Sequence, residues 1–195
     1  VTAIQSLESA MQLDRFSPPV LIRLLTLASA LVFTGLAHAD DYSDVNQLLK
    51  SGKGTEALAK ADKYLADKPK DPQMRFLKGV IQTQAGNTTE AIATFTALTQ
   101  DYPELPEPYN NLAALLASQN QLDKARTALE MAIRINPGYA IAHENLGDIY
   151  ARMANQSYAR AQQLEPGNAQ LGPKMALVRD VFNVGAKPAK PAAKK

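Results

Sequence analysis

The pattern of apolar and polar positions between residues 106 and 137 is that of two short amphipathic helices. The first segment runs from Pro106 to Ala117, four polar residues follow, and the second segment resumes helical spacing at Leu122. Asn136-Pro137 then ends the second segment. The pattern predicts a helical hairpin. Since neither segment can bury its apolar face alone, it also predicts neighbouring hairpins.

Residues that recur every 34 positions mark those neighbours. They are the alanines of the second helices, the Gly or Asn of the turns, and the prolines that close each unit. The recurring residues are Ala57, Ala91 and Ala125; Gly52, Gly86 and Asn120; Pro69, Pro103 and Pro137. Three independent markers with one period predict a repeat array. The alternative is an ordinary helical bundle with accidental spacing.

The fourth repeat is shorter than the others, because only 29 residues separate Pro137 from Pro166. An apolar stripe continues through the place where a turn is expected, and residues 154–157 contain neither Gly nor Pro. We therefore predict one long helix, from about Ala140 to Leu164. A tight turn at Asn155 with a stunted second helix is the alternative.

The chain after this repeat predicts one more helix and a tail. Gly167-Asn168 ends the long helix, and a polar-backed capping helix is expected over residues 168–183. Residues 184–195 are rich in Lys, Pro and Ala and are expected to be disordered. The apolar face of the capping helix consists of Leu171, Met175, Val178, Val181 and Phe182.

Period and residue types together resemble the tetratricopeptide repeat, a 34-residue helix–turn–helix unit. The resemblance implies an all-α fold: a right-handed α-solenoid of antiparallel helix pairs over residues 40–167, with about three full repeats and a shortened fourth. The first repeat departs from the family pattern, since Asp44-Val45 replaces the usual Leu-Gly pair. The matched positions are Gly79, Gly86, Ala91, Phe95 and Pro103; Tyr109, Leu112, Ala113, Ala125, Leu129, Ala132 and Pro137; His143, Leu146, Gly147 and Tyr150. Ala and Gly suit such slots because they let helix backbones approach closely.

The beginning of the chain predicts a signal peptide over residues 1–39, of which 1–10 precede Met11 and are an upstream extension. An apolar segment ends at Ala37-His38-Ala39, a small-x-small cleavage site. Its uninterrupted part, Leu24 to Leu36, is about 20 Å long as a helix, against about 30 Å for a bilayer. Cleavage near Ala39-Asp40 would leave a periplasmic or secreted protein. A retained membrane anchor is the alternative.

Composition and charge narrow the possible partners. The chain contains no cysteine, which excludes disulfides, thiolate metal sites and a cysteine nucleophile. Residues 40–183 carry 15 Lys and Arg against 17 Asp and Glu, while the tail adds four lysines. The basic character therefore belongs largely to the tail, and no basic stripe predicts nucleic-acid binding.

No catalytic or cofactor motif is found. His143-Glu144 lacks the second histidine of a zinc-binding helix, so His143 is predicted to be a core or half-buried packing residue. There is no nucleophile elbow, phosphate-binding glycine loop or calcium loop. We expect no enzyme activity, no cofactor, no metal site and no small-molecule substrate.

The resemblance implies a concave groove lined by the first helix of each hairpin, where the family binds extended peptides or partner proteins. The family's carboxylate-binding set of Lys and Arg is not present, and Glu107, Glu144 and Asp148 make one end of the groove acidic. Asn side chains suit a peptide backbone because each offers a donor and an acceptor. The expected lining is Asn46, Lys50, Phe76, Val80, Gln84, Asn110, Ala114, Ser118, Glu144, Asp148 and Arg152.

Three functions remain open at the level of sequence. The first is a periplasmic or envelope scaffold that binds partner proteins or peptides in the groove. The second is an assembly or tethering factor whose basic tail contacts anionic envelope polymers. The third is an enzyme or a metal-binding protein with an unrecognised site. A membrane would be contacted only through an uncleaved signal or envelope association, and the sequence leaves the oligomeric state open.

Overall fold

The computed structural model describes residues 41–182, which form eight α-helices and no strand. The predicted signal peptide and the predicted tail lie outside this range. The described residues divide into two compact units, 41–60 and 61–182, and the boundary falls inside the second helix. The helices are α1 (residues 41–50), α2 (Gly54–Asp67), α3 (Pro72–Gln84), α4 (Thr88–Asp101), α5 (Pro106–Ser118), α6 (Leu122–Ile135), α7 (Ala140–Leu164) and α8 (Leu171–Val181).

In the first unit, α1 ends in a left-handed turn. Gly52 has φ +74°, a conformation that glycine adopts without steric cost, and the next amide, of Lys53, donates to the carbonyl of Leu48 at 2.9 Å. Lys60 pairs with Asp44, and its Nζ lies 4.0 Å from Asp41 Oδ1. The predicted turn of the first hairpin is confirmed.

In the second unit, the same kind of turn recurs at the predicted positions. Gly86 has φ +77° and Asn120 has φ +59°. Among the described residues, Asn120 is the one residue other than glycine that has a positive φ. Asparagine is one of the few side chains that tolerate this region. A Gly or Asn every 34 residues therefore has a conformational cause: each turn needs one left-handed residue.

Consecutive helices of the second unit, from α3 to α8, pack against one another. Ala91 on α4 and Ala125 on α6 are completely buried, which confirms their assignment to close helix contacts. Gly79 on α3 makes the closest approach. A Cβ atom built there would lie 2.7 Å from the ring of Phe95, so only glycine fits without a shift of that ring. The predicted pairs α3–α4 and α5–α6 are confirmed.

Helix α7 is one continuous helix of 25 residues, which confirms the prediction of a long helix. The alternative, a tight turn at Asn155, is wrong. Among the described residues no helix covers α7 at Gly147, where a Cβ atom would meet no atom within 4 Å. Close packing at Gly147, expected from the repeat pattern, is not observed within the described chain.

The prediction that His143 is a core or half-buried residue is also wrong, and for the same reason. His143 is exposed, and its Nε2 lies 3.0 Å from the carbonyl oxygen of Pro137. In the preceding repeat the equivalent position is Tyr109, which is half-buried and packs against the core cluster around Leu129. No helix among the described residues covers α7 at this position, so the histidine ring stays exposed.

Helix α8 packs against α7, with Leu171 buried and Met175 and Val178 half-buried. Helix α8 lies where the capping helix is expected, but its outer face is not wholly polar, because several apolar side chains remain about half or more exposed. They are Leu177 (70% exposed), Val181 (50%) and Phe182 (49%). The apolar stripe of α8 is wider than the surface that α7 offers it.

Candidate partner-binding groove

The candidate site in the second unit is the face shared by α3, α5 and α7, the first helices of their repeats. On α3, Phe76 and Val80 are half-buried and pack on the cluster around Phe95. The rings of Phe76 and Phe95 meet edge to face, with centroids 5.6 Å apart and an interplanar angle of 63°. These two groove positions therefore contribute mainly to the core and offer only part of their surface to a ligand.

Asn110 connects two first helices. It is 8% exposed, and its Oδ1 accepts a hydrogen bond from Asn145 Nδ2 at 2.8 Å. The two asparagines lie 35 residues apart, on α5 and α7, so the bond fixes the spacing of adjacent repeats. This bond occupies one lone pair of Asn110 Oδ1. Only the other lone pair and the amide nitrogen of Asn110 are left to bind a ligand.

A cleft of about 300 Å³ lies between α5, α6 and α7 and reaches the end of α8. Three predicted groove residues, Ala114, Asp148 and Arg152, meet there. The other lining residues are Ala113, Ala117, Leu129, Asn145, Ile149 and Phe182. The floor is thus made largely of apolar side chains, with the small alanines contributed by α5, and a carboxylate and a guanidinium lie at its edge.

Phe182 is the groove residue that sequence reasoning missed. Its spacing placed it on the packing stripe of the capping helix, and no periodic signal points to a role outside that stripe. The structure places it at the C-cap of α8, beside the alanines of α5. It is 49% exposed, so it offers an aromatic surface to the cleft.

The remaining predicted groove residues are dispersed. Gln84, Ser118 and Glu144 are exposed, and the hydroxyl of Ser118 donates to the carbonyl of Leu115 at 2.6 Å. Asn46 and Lys50 lie on α1 of the first unit, where Asn46 donates to the carbonyl of Tyr42 at 2.9 Å. Their role as groove residues stays a prediction.

The groove carries several exposed acidic side chains. Glu107, Glu144 and Asp148 are exposed, and none of them forms an ion pair with another residue in the described range 41–182. Burial raises the pKa of the Tyr139 hydroxyl, and the charge of Glu107 raises it further. The end of the groove formed by α5 and α7 therefore carries an excess of negative charge, with Arg152 beside Asp148 in the cleft.

A second cleft, of about 410 Å³, lies between α5 and α6 and is lined mostly by apolar atoms, with Tyr109, Leu112 and Leu116 contributed by α5. Helical geometry turns these positions well away from Ala114, so this cleft is separate from the groove. Among residues 41–182 no cluster of His, Cys, Asp or Glu has metal-ligand geometry, and no helix there is long and apolar enough to cross a membrane.

Comparison with known families identifies repeats in two parts of the chain. The family model described as "Tetratricopeptide repeat" matches residues 45–106, and the model described as "TPR repeat" matches residues 115–153. A TPR repeat-containing thioredoxin of Arabidopsis thaliana is 34% identical over 82 residues, which are 42% of this chain and 12% of that protein. The chain spans between 12% and 28% of the length of the curated relatives it matches.

Solved structures share the fold. The first TPR of Spaghetti (RPAP3) bound to an HSP90 peptide has a TM-score of 0.56 at 18% identity, over 58% of this chain and 90% of that chain. The Yersinia enterocolitica type III secretion chaperone SycD, in complex with a peptide of the translocator YopD, has a TM-score of 0.56 at 16% identity, over 60% of this chain and 95% of that chain. At this level of identity the likeness establishes the all-α solenoid of helix pairs.

Proposed function

Since the chain belongs to the tetratricopeptide-repeat family, we propose that it is a non-catalytic protein–protein interaction scaffold of the periplasm or cell envelope. Its ligand is an extended peptide segment of a partner protein, bound on the face of α5 and α7. The observation that carries the proposal is the cleft beside Ala114, which has an apolar floor and, at its edge, an exposed Asp148 that forms no ion pair among residues 41–182.

The chemistry of this cleft suits a peptide. Small side chains such as Ala114 and Ala117 leave the backbone of α5 approachable, and the exposed ring of Phe182 supplies an apolar contact. Asp148 and Glu144 favour a segment that carries Lys or Arg and disfavour an acidic one. Two of the solved structures with this fold hold peptides, which supports the same mode of binding here.

The periplasmic location is part of the proposal and is supported by the apolar segment that ends at Ala37-His38-Ala39. We expect the mature protein to begin at Asp40. N-terminal sequencing of the protein purified from the cell-envelope fraction measures this directly. A mature form that retains Leu24 to Leu36 would contradict cleavage.

Reversal of the acidic edge is expected to weaken the binding of basic peptides. In the variant Glu144→Lys with Asp148→Lys, each lost attraction is worth about 0.5–1 kcal/mol, so the dissociation constant should rise about 5- to 30-fold. The measurement is a titration of the full chain with the tightest-binding members of a synthetic peptide library, at low and at high salt. The loss should shrink at high salt because exposed charges are screened.

The matched control is Glu90→Lys with Glu104→Lys, which makes the same change of charge at exposed positions on α4 and in the loop before α5. This control should leave the affinity for the same peptides unchanged. If the two double variants weaken binding equally, net charge and not the cleft determines affinity. If Glu144→Lys with Asp148→Lys has no effect, the groove is not the binding site.

A further inference from the structure

The first half of α7 carries a packing site that the preceding repeats fill and this repeat leaves empty. Residues 79, 113 and 147 occupy the same position of successive repeats. Gly79 contacts the ring of Phe95 from the second helix of its own repeat, and Ala113 is 1% exposed in the cluster that contains Leu129. Gly147 is exposed and faces open space. The exposed face of α7 around Gly147, with His143 and Tyr150 beside it, is called the open face below.

The residues that would fill this site are present in the same helix. When Pro166 is aligned with Pro137, the closing proline of the third repeat, three residues of α7 fall on the packing positions of α6. They are Ala154, Tyr158 and Ala161, which correspond to Ala125, Leu129 and Ala132. The second half of α7 therefore has the sequence pattern of the second helix of a repeat, but the five residues that would form the turn before it are missing.

The continuous helix keeps these residues away from their own packing site. Gly147 and Tyr158 are 11 residues apart, which is about 16 Å along a straight helix. Tyr158 therefore cannot contact the Gly147 of the same chain, whereas Phe95 reaches Gly79 because a turn folds α4 back on α3. Both the empty site and its natural filler belong to every copy of the chain, so the filler of one copy can reach such a site only in another copy.

We propose that two copies of this chain form a twofold dimer in which their α7 helices pack antiparallel, so that Tyr158 of each copy lies on Gly147 of the other. The contact between Gly79 and Phe95 sets the register. If Tyr158 of one copy contacts Gly147 of the other as Phe95 contacts Gly79, the twofold axis passes midway between positions 147 and 158. This point lies between Arg152 and Met153, in the middle of the 25-residue helix. A pairing centred on the helix makes every contact twice, as an isologous interface requires.

The positions of the small residues along α7 suit this pairing. Gly147, Ala151, Ala154, Tyr158 and Ala161 follow one another at intervals of four, three, four and three residues, so they lie on one face of the helix. Small residues along this face permit a close approach of the two helices, as Ala91 and Ala125 do in the preceding repeats. The dimer interface thus continues the packing already made by α3 with α4 and by α5 with α6.

Helix α8 leaves the Gly147 end of this face accessible. Its C-terminal end meets α7 at Arg152, Asn155 and Gln156, which lie to the side of the stripe. Lys174 covers one side of the Tyr158 ring, with Nζ 5.8 Å from the ring centroid. The proposal is independent of the peptide groove, which lies on the face of Asp148 and Arg152.

Cross-linking tests the register, because the chain contains no native cysteine. Two single variants of the full chain, Gly147→Cys and Tyr158→Cys, are mixed and oxidised in a glutathione buffer. The mixture should form a disulfide-linked dimer of one chain of each kind. Each variant alone should not, since its two cysteines would be about 16 Å apart in the proposed register, far beyond disulfide reach. Equal cross-linking of the mixture and the single variants, or none in the mixture, overturns the register.

The mass in solution tests the dimer itself. Light scattering on the full chain should give twice the mass of one chain, and Gly147→Glu should give the mass of a single chain with unchanged helix content, because its side chain meets open space in the monomer. Insertion of Ser-Gln-Asn-Gln-Leu after Ala151 restores the 34-residue period. It should let α7 fold back as a hairpin and fill its own site, so this variant should also be a monomer.

The matched control inserts the same five residues after Gly167, in the connection between α7 and α8, and should remain a dimer. A wild-type chain with the mass of one chain overturns the proposal. A dimer formed by the variant with the insertion after Ala151 also overturns the proposal. In that variant each copy fills its own site at Gly147, so no empty site is left for a second copy to bind.

Discussion

Replacement of Phe95 by alanine is expected to lower the free energy of unfolding by about 3–5 kcal/mol. Phe95 is one of the largest completely buried side chains among the described residues. Its ring fills the space above Gly79 and meets Phe76 edge to face. The substitution leaves a cavity that the neighbouring residues cannot fill, because Gly79 has no side chain and Ala91 is held in a close helix contact.

Denaturant unfolding followed by circular dichroism measures this loss. The matched control is Phe182→Ala, which removes the same side chain from a position that is 49% exposed and should change stability by about 0.5 kcal/mol or less. A loss below about 1 kcal/mol for Phe95→Ala would mean that the site between α3 and α4 collapses around the deletion. The close contact at Gly79 would then not be a tightly packed one.

The second large effect is expected from Ala125→Leu. Ala125 is completely buried on α6, so three additional carbon atoms force neighbouring helices apart and cost about 1–3 kcal/mol. Because each repeat is stabilised by its neighbours, hydrogen exchange should accelerate in α5 and α7 as well as in α6. Thermal unfolding and amide exchange together measure the size and the spread of the effect.

Ala93→Leu is the matched control, since Ala93 is exposed on α4. The control should leave the melting temperature nearly unchanged. Equal melting temperatures for Ala125→Leu and the unsubstituted protein would contradict the repeat register. Acceleration confined to α6 would instead show that the repeats unfold independently.

The repeat architecture was predictable because its signals are local. Proline after each unit, a left-handed Gly or Asn in each turn and an alanine at each helix contact are demanded by short-range geometry. The same locality made the long helix predictable. Five missing turn residues leave a helical stripe uninterrupted, and α7 follows that stripe from Ala140 to Leu164.

The candidate groove was predictable only in part. The family pattern identified Ala114, Asp148 and Arg152, which do meet at one cleft, but it also included Asn110, whose Oδ1 is engaged by Asn145. Periodicity assigns a residue to a face of its own helix. It does not say which side chain of the neighbouring helix competes for the same polar atoms.

By itself, the sequence determined the helix pairs, the turn positions and the buried alanines, because each depends on residues within one repeat. Only the tertiary structure decided the environments of His143, Gly147 and Phe182. The periodic pattern assigns His143 and Gly147 to packing positions, but their burial requires the second helix of the same repeat. Because α7 is continuous, its second half does not fold back to provide that helix. Phe182 becomes a groove residue because α8 returns along α7 and ends beside α5. Such placements depend on where whole helices lie relative to one another, which no spacing within a single helix encodes.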